Sequence, residues 1–238
     1  MPSDPSSHST LGVRILAGSL LSVYLMAGIL VVARFVERKT CSEAAFDIGL
    51  CRGRAVLYGA LLWVVPATSV FALLTLLGQS LEVQASAGQL WGTVALVGVA
   101  VLLSEAIPEE LVFRGYVMAV LGERLHGWWV ISIQAALFAG LAFVLRGGVD
   151  LLDFSLFITM GVVFGYLRQV TGSVWTSIGI HAAFQSGAQL VLTHEVLIFN
   201  GSELHAMLAL GAVPFTCVII AVSFVEPAVT RFRSGHRR

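Results

Sequence analysis

Charge is scarce in this chain. Of 238 residues, 12% are Asp, Glu, Lys or Arg, against about 25% in soluble globular domains. The hydrophobic share is 57% and the mean hydropathy is +0.89, which excludes an ordinary soluble domain and points to a polytopic membrane protein. Fourteen basic residues balance fourteen acidic ones, so a nucleic-acid partner has no electrostatic support. Cysteine is nearly absent. Cys41, Cys51 and Cys217 form an odd set without a C-x-x-C spacing, which argues against a disulfide framework and against cysteine-held zinc. The N-terminal MPSDPSSHST lacks Lys and Arg. The apolar run after it, Leu11 to Val36, is too long for a signal-peptide core and reads as a retained span. No C-a-a-X box ends the chain, so no prenyl group on the chain itself is expected. There is no internal repeat and no low-complexity tract.

What is present is a series of long apolar runs, at 12–36, 55–77, 89–107, 128–146, 151–168, 173–193 and 204–225. Each has about the 20 residues needed to cross a bilayer as a helix. The expected fold is therefore an all-α membrane bundle of about seven spans. It divides into an N-terminal tail with two spans (1–88), a core (89–193), and a last span with a basic tail (194–238). The segment around Glu109 reads as a further helical piece continuing span three, which Pro108 begins or kinks. Arg34, Arg38, Lys39, Arg52 and Arg54 lie between spans one and two, Arg114 and Arg124 between three and four, Arg168 after five, and Arg231, Arg233, Arg237 and Arg238 in the tail. With the N-terminus outside, all of these fall on the cytoplasmic side and only Arg14 and Arg146 fall outside, as the positive-inside rule favours. That orientation sets the Glu109 segment at the cytoplasmic face. Low Lys with high Ala, Gly and Val suits a prokaryotic cell membrane.

Two groups of polar residues stand out against this background. In the first, Glu105, Glu109, Glu110 and Arg114 follow one another within ten residues. Ionisable residues inside a membrane are costly and mark functional sites by default. Helical spacing puts Glu105, Glu109 and Phe113 on one face, and pairs Glu110 with Arg114 at i,i+4. The pair reads equally well as a structural salt bridge. Glu109, with no basic residue four positions away, is the candidate to take a proton from water. In the second group, Ser177, His181, Gln185 and Gln189 form a stripe along span six. Such a stripe faces a bundle interior; it serves either as interhelical hydrogen bonding or as a source of donors to an oxyanion. His8, His126, His194, His205 and His236 read as surface or interface residues. Trp91, Trp128, Trp129 and Trp175 read as interfacial anchors, and Asp150 and Asp153 as solvated or capping residues.

Three ordered segments over residues 90–192 resemble the CPBP intramembrane protease family, which includes CAAX prenyl endopeptidases and bacterial bacteriocin-processing and self-immunity proteins. The motif E-E-x-x-x-R is met by Glu109-Glu110-Leu-Val-Phe-Arg114. F-x-x-x-H is met by Phe138 but has Ala142 at the histidine position. H-x-x-x-N/D is met by His181 with Gln185 at its end. The resemblance implies an endopeptidase in which Glu109 activates water, Glu110 and Arg114 support it, and His181 with Gln185 stabilises the oxyanion. Its substrate would be a membrane-associated peptide or protein. Zinc, which the family has been credited with, is poorly supported here, because Glu109 and His181 fall short of the three protein ligands of a catalytic zinc; no cofactor is expected. Ala142 can neither accept a proton nor orient water, and the alternative is an inactive family member that binds a membrane peptide as an immunity or scaffold protein. By rise per residue, Ala142 lies about 21 Å along span four and His181 about 12 Å from the inner end of span six, so the two motifs share a level only if span four begins deeper or tilts. A transporter is disfavoured by the absence of paired broken spans in two halves.

Overall fold

The computed structural model describes residues 8–36, 53–148, 150–194 and 196–235. Arg38, Lys39, Cys41, Cys51 and Arg52 of the first basic loop, and His236, Arg237 and Arg238 of the tail, lie outside them. The described chain is a bundle of seven helices: α1 (His8–Val31), α2 (Gly53–Leu76), α3 (Ala87–Gly122), α4 (Trp128–Leu145), α5 (Leu151–Thr171), α6 (Val174–Leu192) and α7 (Glu203–Phe224). Six of them are long and apolar enough to cross a membrane. α6 has 19 residues, and its polar stripe dilutes its hydropathy. The all-α membrane bundle expected from the apolar runs is the observed architecture, with boundaries shifted by a few residues. Two three-residue strands, β1 (Leu81–Val83) and β2 (Leu197–Phe199), form an antiparallel pair that joins the loops after α2 and α6, with Leu81 opposite Phe199. Nothing in the apolar periodicity announces strands this short.

Local chemistry sets the helix ends. Ser86 and Gln89 close a capping box at the start of α3, which satisfies two of the free N–H groups of the first turn. Asp150 caps α5 by accepting from Asp153 N–H at 2.8 Å, as expected of it. Gly147, at φ 69°, and Gly148, at φ 107°, end α4 in a left-handed turn that suits glycine. There Gly148 N–H donates to Phe143 C=O at 2.9 Å.

α3 is the axis of the bundle. It runs 36 residues without a break, roughly 54 Å at 1.5 Å per residue. Pro108 does not stop it, because two π-helical stretches, Leu102–Ala106 and Leu111–Val117, flank the Ile107–Glu110 turn. A π-turn takes one more residue than an α-turn, so each stretch rotates the side chains after it; such turns gather at functional sites. α1 packs along the middle of α3, α4 against α5, and α2 against α6. The α2–α6 contact is close because it has no side chains in the way. A Cβ on Gly59 would lie 2.0 Å from Thr176 C=O, and one on Gly179 would lie 2.1 Å from Val56 C=O. Small residues are what allow membrane helices to approach this far. The main apolar core joins Phe71, Phe164, Phe184 and Phe215 from α2, α5, α6 and α7. Trp63 completes it, with its indole N–H donating to Leu210 C=O at 2.8 Å.

Candidate active site

The middle of α3 faces α6 and α5, and three charged or ionisable side chains meet there out of contact with solvent. Glu110 and Arg114 are 0% exposed and His181 is 1% exposed. Arg114 Nη1 donates to Glu110 Oε1 at 2.9 Å. His181 Nδ1 lies 2.8 Å from the same oxygen. A carboxylate paired with arginine only accepts, so Nδ1 carries the proton of this bond. Arg114 Nη2 donates to Met160 C=O at 3.2 Å. Its guanidinium carbon stands 4.6 Å from the centre of the Phe138 ring and 5.3 Å from that of Phe164. The fork is thus held by two acceptors and two aromatic faces, a job for which the planar guanidinium is suited and an ammonium is not. The Phe164 ring also packs against His181, with centroids 5.3 Å apart, and Ser177 anchors α6 to α5 by donating to Phe164 C=O at 3.1 Å.

Glu109 turns the other way. Its side chain is 40% exposed, and its Oε2 lies 3.9 Å from His181 Nε2. It opens on a cavity of about 340 Å³ walled by α1, α3, α4 and α5, at the small end of ligand pockets, which run to about 300–1,000 Å³. Leu21 and Leu25 of α1 and Leu141 and Leu145 of α4 line it; Phe113, Phe138 and Phe157 supply aromatic wall. Ala142 lines it as well. Position 142, where the resemblance calls for histidine, therefore faces the cavity that Glu109 faces. The apparent mismatch in depth disappears because α3 extends to Gly122 and α4 starts from its far end. Glu109 and Ala142 each stand roughly 20 Å along their helices from that turn, and so reach the same level. Glu109 consequently sits inside the bundle, level with Ala142 of α4 and within reach of His181 of α6.

The remaining site residues divide. The expected stripe of Glu105, Glu109 and Phe113 is altered by the π-turn at Leu102–Ala106: Ser104, not Glu105, lines the cavity with Glu109 and Phe113. Glu105 turns to α1 and α6 instead. Arg14 pairs with Glu105 Oε1, donates to Gln189 Oε1 at 2.8 Å, and donates to Ser104 Oγ at 3.0 Å. Gln189 completes the square by donating to Glu105 at 3.3 Å. Arg14, which the charge distribution assigns to the outer side, is also the polar tie between α1, α3 and α6. The signal was there, an arginine four residues into an apolar run, but its partners lie 90 and more positions away. Gln185 is half-buried, does not line the cavity, and makes no hydrogen bond among the described residues. His126 is exposed in the α3–α4 turn, remote from the site. His194, read from the sequence as a surface or interface residue, is buried at 9% exposure just after the end of α6. Trp91, Trp128 and Trp129 are exposed at helix starts as anchors should be, and Trp128 also stacks on Tyr166 at 5.4 Å.

The donor set does not fit a catalytic zinc. Among the described residues no three His, Cys, Asp or Glu side chains are arranged to hold a metal ion. Glu109 and His181 would supply two ligands where such a zinc takes three, and Ala142 contributes none.

The site is thus a carboxylate on an internal cavity of a helix bundle, backed by a buried Glu–Arg–His cluster. The family comparison is more specific: residues 90–187 match the model of the type II CAAX prenyl endopeptidase Rce1-like family. Over these residues the chain is similar to the CPBP/CAAX-protease family that its three motifs resemble. No curated protein and no solved structure gives a significant match.

Proposed function

We propose that the chain is an endopeptidase that hydrolyses a peptide bond in a membrane-associated substrate, with Glu109 as the base that activates water. The observation that carries this reading is the orientation of the adjacent carboxylates. Glu110 is consumed in the Arg114–His181 cluster, while Glu109 is open to the cavity and to His181 Nε2 at 3.9 Å. A gap of that size between two polar atoms suits a bridging water. His181 in this tautomer presents an accepting Nε2 to that water, and Glu110 with Arg114 holds the ring in place. Glu109 takes the proton as the water oxygen attacks the carbonyl carbon, then returns it to the departing amine. Two ligand groups being too few for zinc, the water is activated without a resident metal. The apolar walls of the cavity suit a substrate reaching it from the bilayer. The distribution of Lys and Arg favours an outside N-terminus and a cytoplasmic C-terminus.

The test is cleavage of a library of internally quenched peptides by the purified chain in detergent. Hydrolysis by the wild type, lost in Glu109→Gln with an unchanged melting temperature, is the expected result. A wild type and a Glu109→Gln variant that cleave alike would refute Glu109 as the base. A second reading rests on Ala142, which leaves the cavity wall without the motif's side chain: an inactive member that binds a membrane peptide. It predicts that the wild type is inert while bulky substitutions in the cavity, such as Ala142→Trp, remove peptide binding.

A further inference from the structure

Hydrolysis at Glu109 requires a donor for the oxygen that becomes negative when water attacks, and the residues expected to provide it do not. His181 donates its Nδ1–H to Glu110, so in its neutral form the ring offers no N–H to the cavity. Gln185 does not line the cavity. Ser104 does, but its hydroxyl donates to Ala100 C=O at 2.7 Å. The only cationic side chain among the residues lining the cavity is Arg146.

Arg146 follows Ala142 by one helical turn. On a helix a long side chain covers the surface over the turn N-terminal to its own Cα, so the patch that Arg146 covers is the one vacated at Ala142. α4 ends there, with Gly147 and Gly148 in the left-handed region, which sets the arginine at the cavity wall. Its guanidinium carbon lies 4.7 Å from the centre of the Phe157 ring, itself part of the wall. Phe157 packs on Phe138 with centroids 6.3 Å apart, and Phe138 is the ring beneath Arg114. The face of an aromatic ring orients a guanidinium without using its N–H groups. Among the described residues those groups have no hydrogen-bond or ion-pair partner.

Resting on the hydrolytic reading above, we infer that Arg146 is a further catalytic residue, which donates N–H to the carbonyl oxygen of the scissile bond, the role that His181 and Gln185 do not fill. As the water oxygen bonds to the carbonyl carbon, the C=O π pair moves onto oxygen beside the guanidinium and the proton moves to Glu109. When the C–N bond breaks, the carbonyl reforms and the proton passes to the amine. Arg146 stays protonated throughout, so it needs no partner to supply or remove a proton.

The experiment measures kcat and KM on the internally quenched peptides for wild type, Arg146→Gln, Arg146→Lys and Ala142→His/Arg146→Gln, with melting temperatures as the control for folding. It also measures inhibition by a phosphinic peptide that mimics the tetrahedral intermediate. Arg146→Gln is expected to lower kcat by about 10²–10³, the usual loss on removing one oxyanion donor, with KM and melting nearly unchanged. Phosphinic-peptide affinity should fall in parallel with kcat/KM. Arg146→Lys should retain part of the rate, and Ala142→His should recover part of it in the Arg146→Gln background. A kcat for Arg146→Gln within threefold of wild type overturns the inference and leaves Glu109 standing. A raised KM with unchanged kcat also overturns it, making Arg146 a ground-state contact to substrate. An inert wild type refutes hydrolysis itself, and this role with it.

Discussion

Truncating Arg114 to alanine removes one half of a fully buried ion pair. Glu110, at 0% exposure, keeps its bond to His181 but loses its counter-charge; its Oε2 already has no hydrogen-bond partner. Breaking a buried pair from one side costs about 3–5 kcal/mol, because the remaining charge is left buried without its counter-charge. The bond to Met160 C=O and the stacking on Phe138 and Phe164 are lost with it; they contribute to the same total, since contacts of one side chain are not additive. For a chain of this length, a loss of that size lowers the melting temperature by roughly 6–20 °C. Thermal unfolding of the purified protein in detergent, followed by tryptophan fluorescence, measures it. Arg114→Lys should recover only part of the loss, since one ammonium cannot meet two acceptors and two ring faces. Pairing Arg114→Met with Glu110→Gln should cost less than the two single changes together, because neither charge is then left alone. An Arg114→Ala protein melting within about 2 °C of wild type would refute the view that this cluster holds α3, α5 and α6 together.

Other outcomes follow from contacts elsewhere. Gly179→Ala puts a methyl 2.1 Å from Val56 C=O, so α2 and α6 must separate. Melting should fall by the equivalent of about 1–3 kcal/mol, and peptide hydrolysis should fall with it as His181 moves from Glu109. Unchanged melting would show that the helices are not in this contact. Arg14→Leu leaves Glu105 and Gln189 without their shared donor and should cost about 1.5–3 kcal/mol; in a double-mutant cycle with Glu105→Gln the two changes should be far from additive. Asp150→Ala removes the α5 cap at a cost of about 1 kcal/mol, with kcat unaltered; a large fall in kcat would assign Asp150 a part in the site that its exposed position does not suggest.

Composition and apolar run length were enough to determine a membrane helix bundle, because a chain crossing lipid must satisfy its backbone internally and helices do so from local sequence alone. The same one-dimensional record located Glu109, Glu110, Arg114 and His181, since a charged or strongly polar group in a hydrocarbon-length run is conspicuous against its neighbours. Their division of labour was not legible there. Glu109 and Glu110 are adjacent and chemically identical. Only the packing of α5 and α6 against α3 buries one with Arg114 and leaves the other at the cavity. The π-turns are equally invisible in a 3.6-residue periodicity, and they are what exchanges Ser104 for Glu105 on the cavity wall. Arg14, Arg146 and Phe157 acquire their meaning from partners far away in the chain or from a shared cavity, and no spacing rule connects them. Sequence fixes which groups are too costly to be in the membrane without a reason; the relative depth and rotation of the helices, set by side-chain packing, decide which of them face one another.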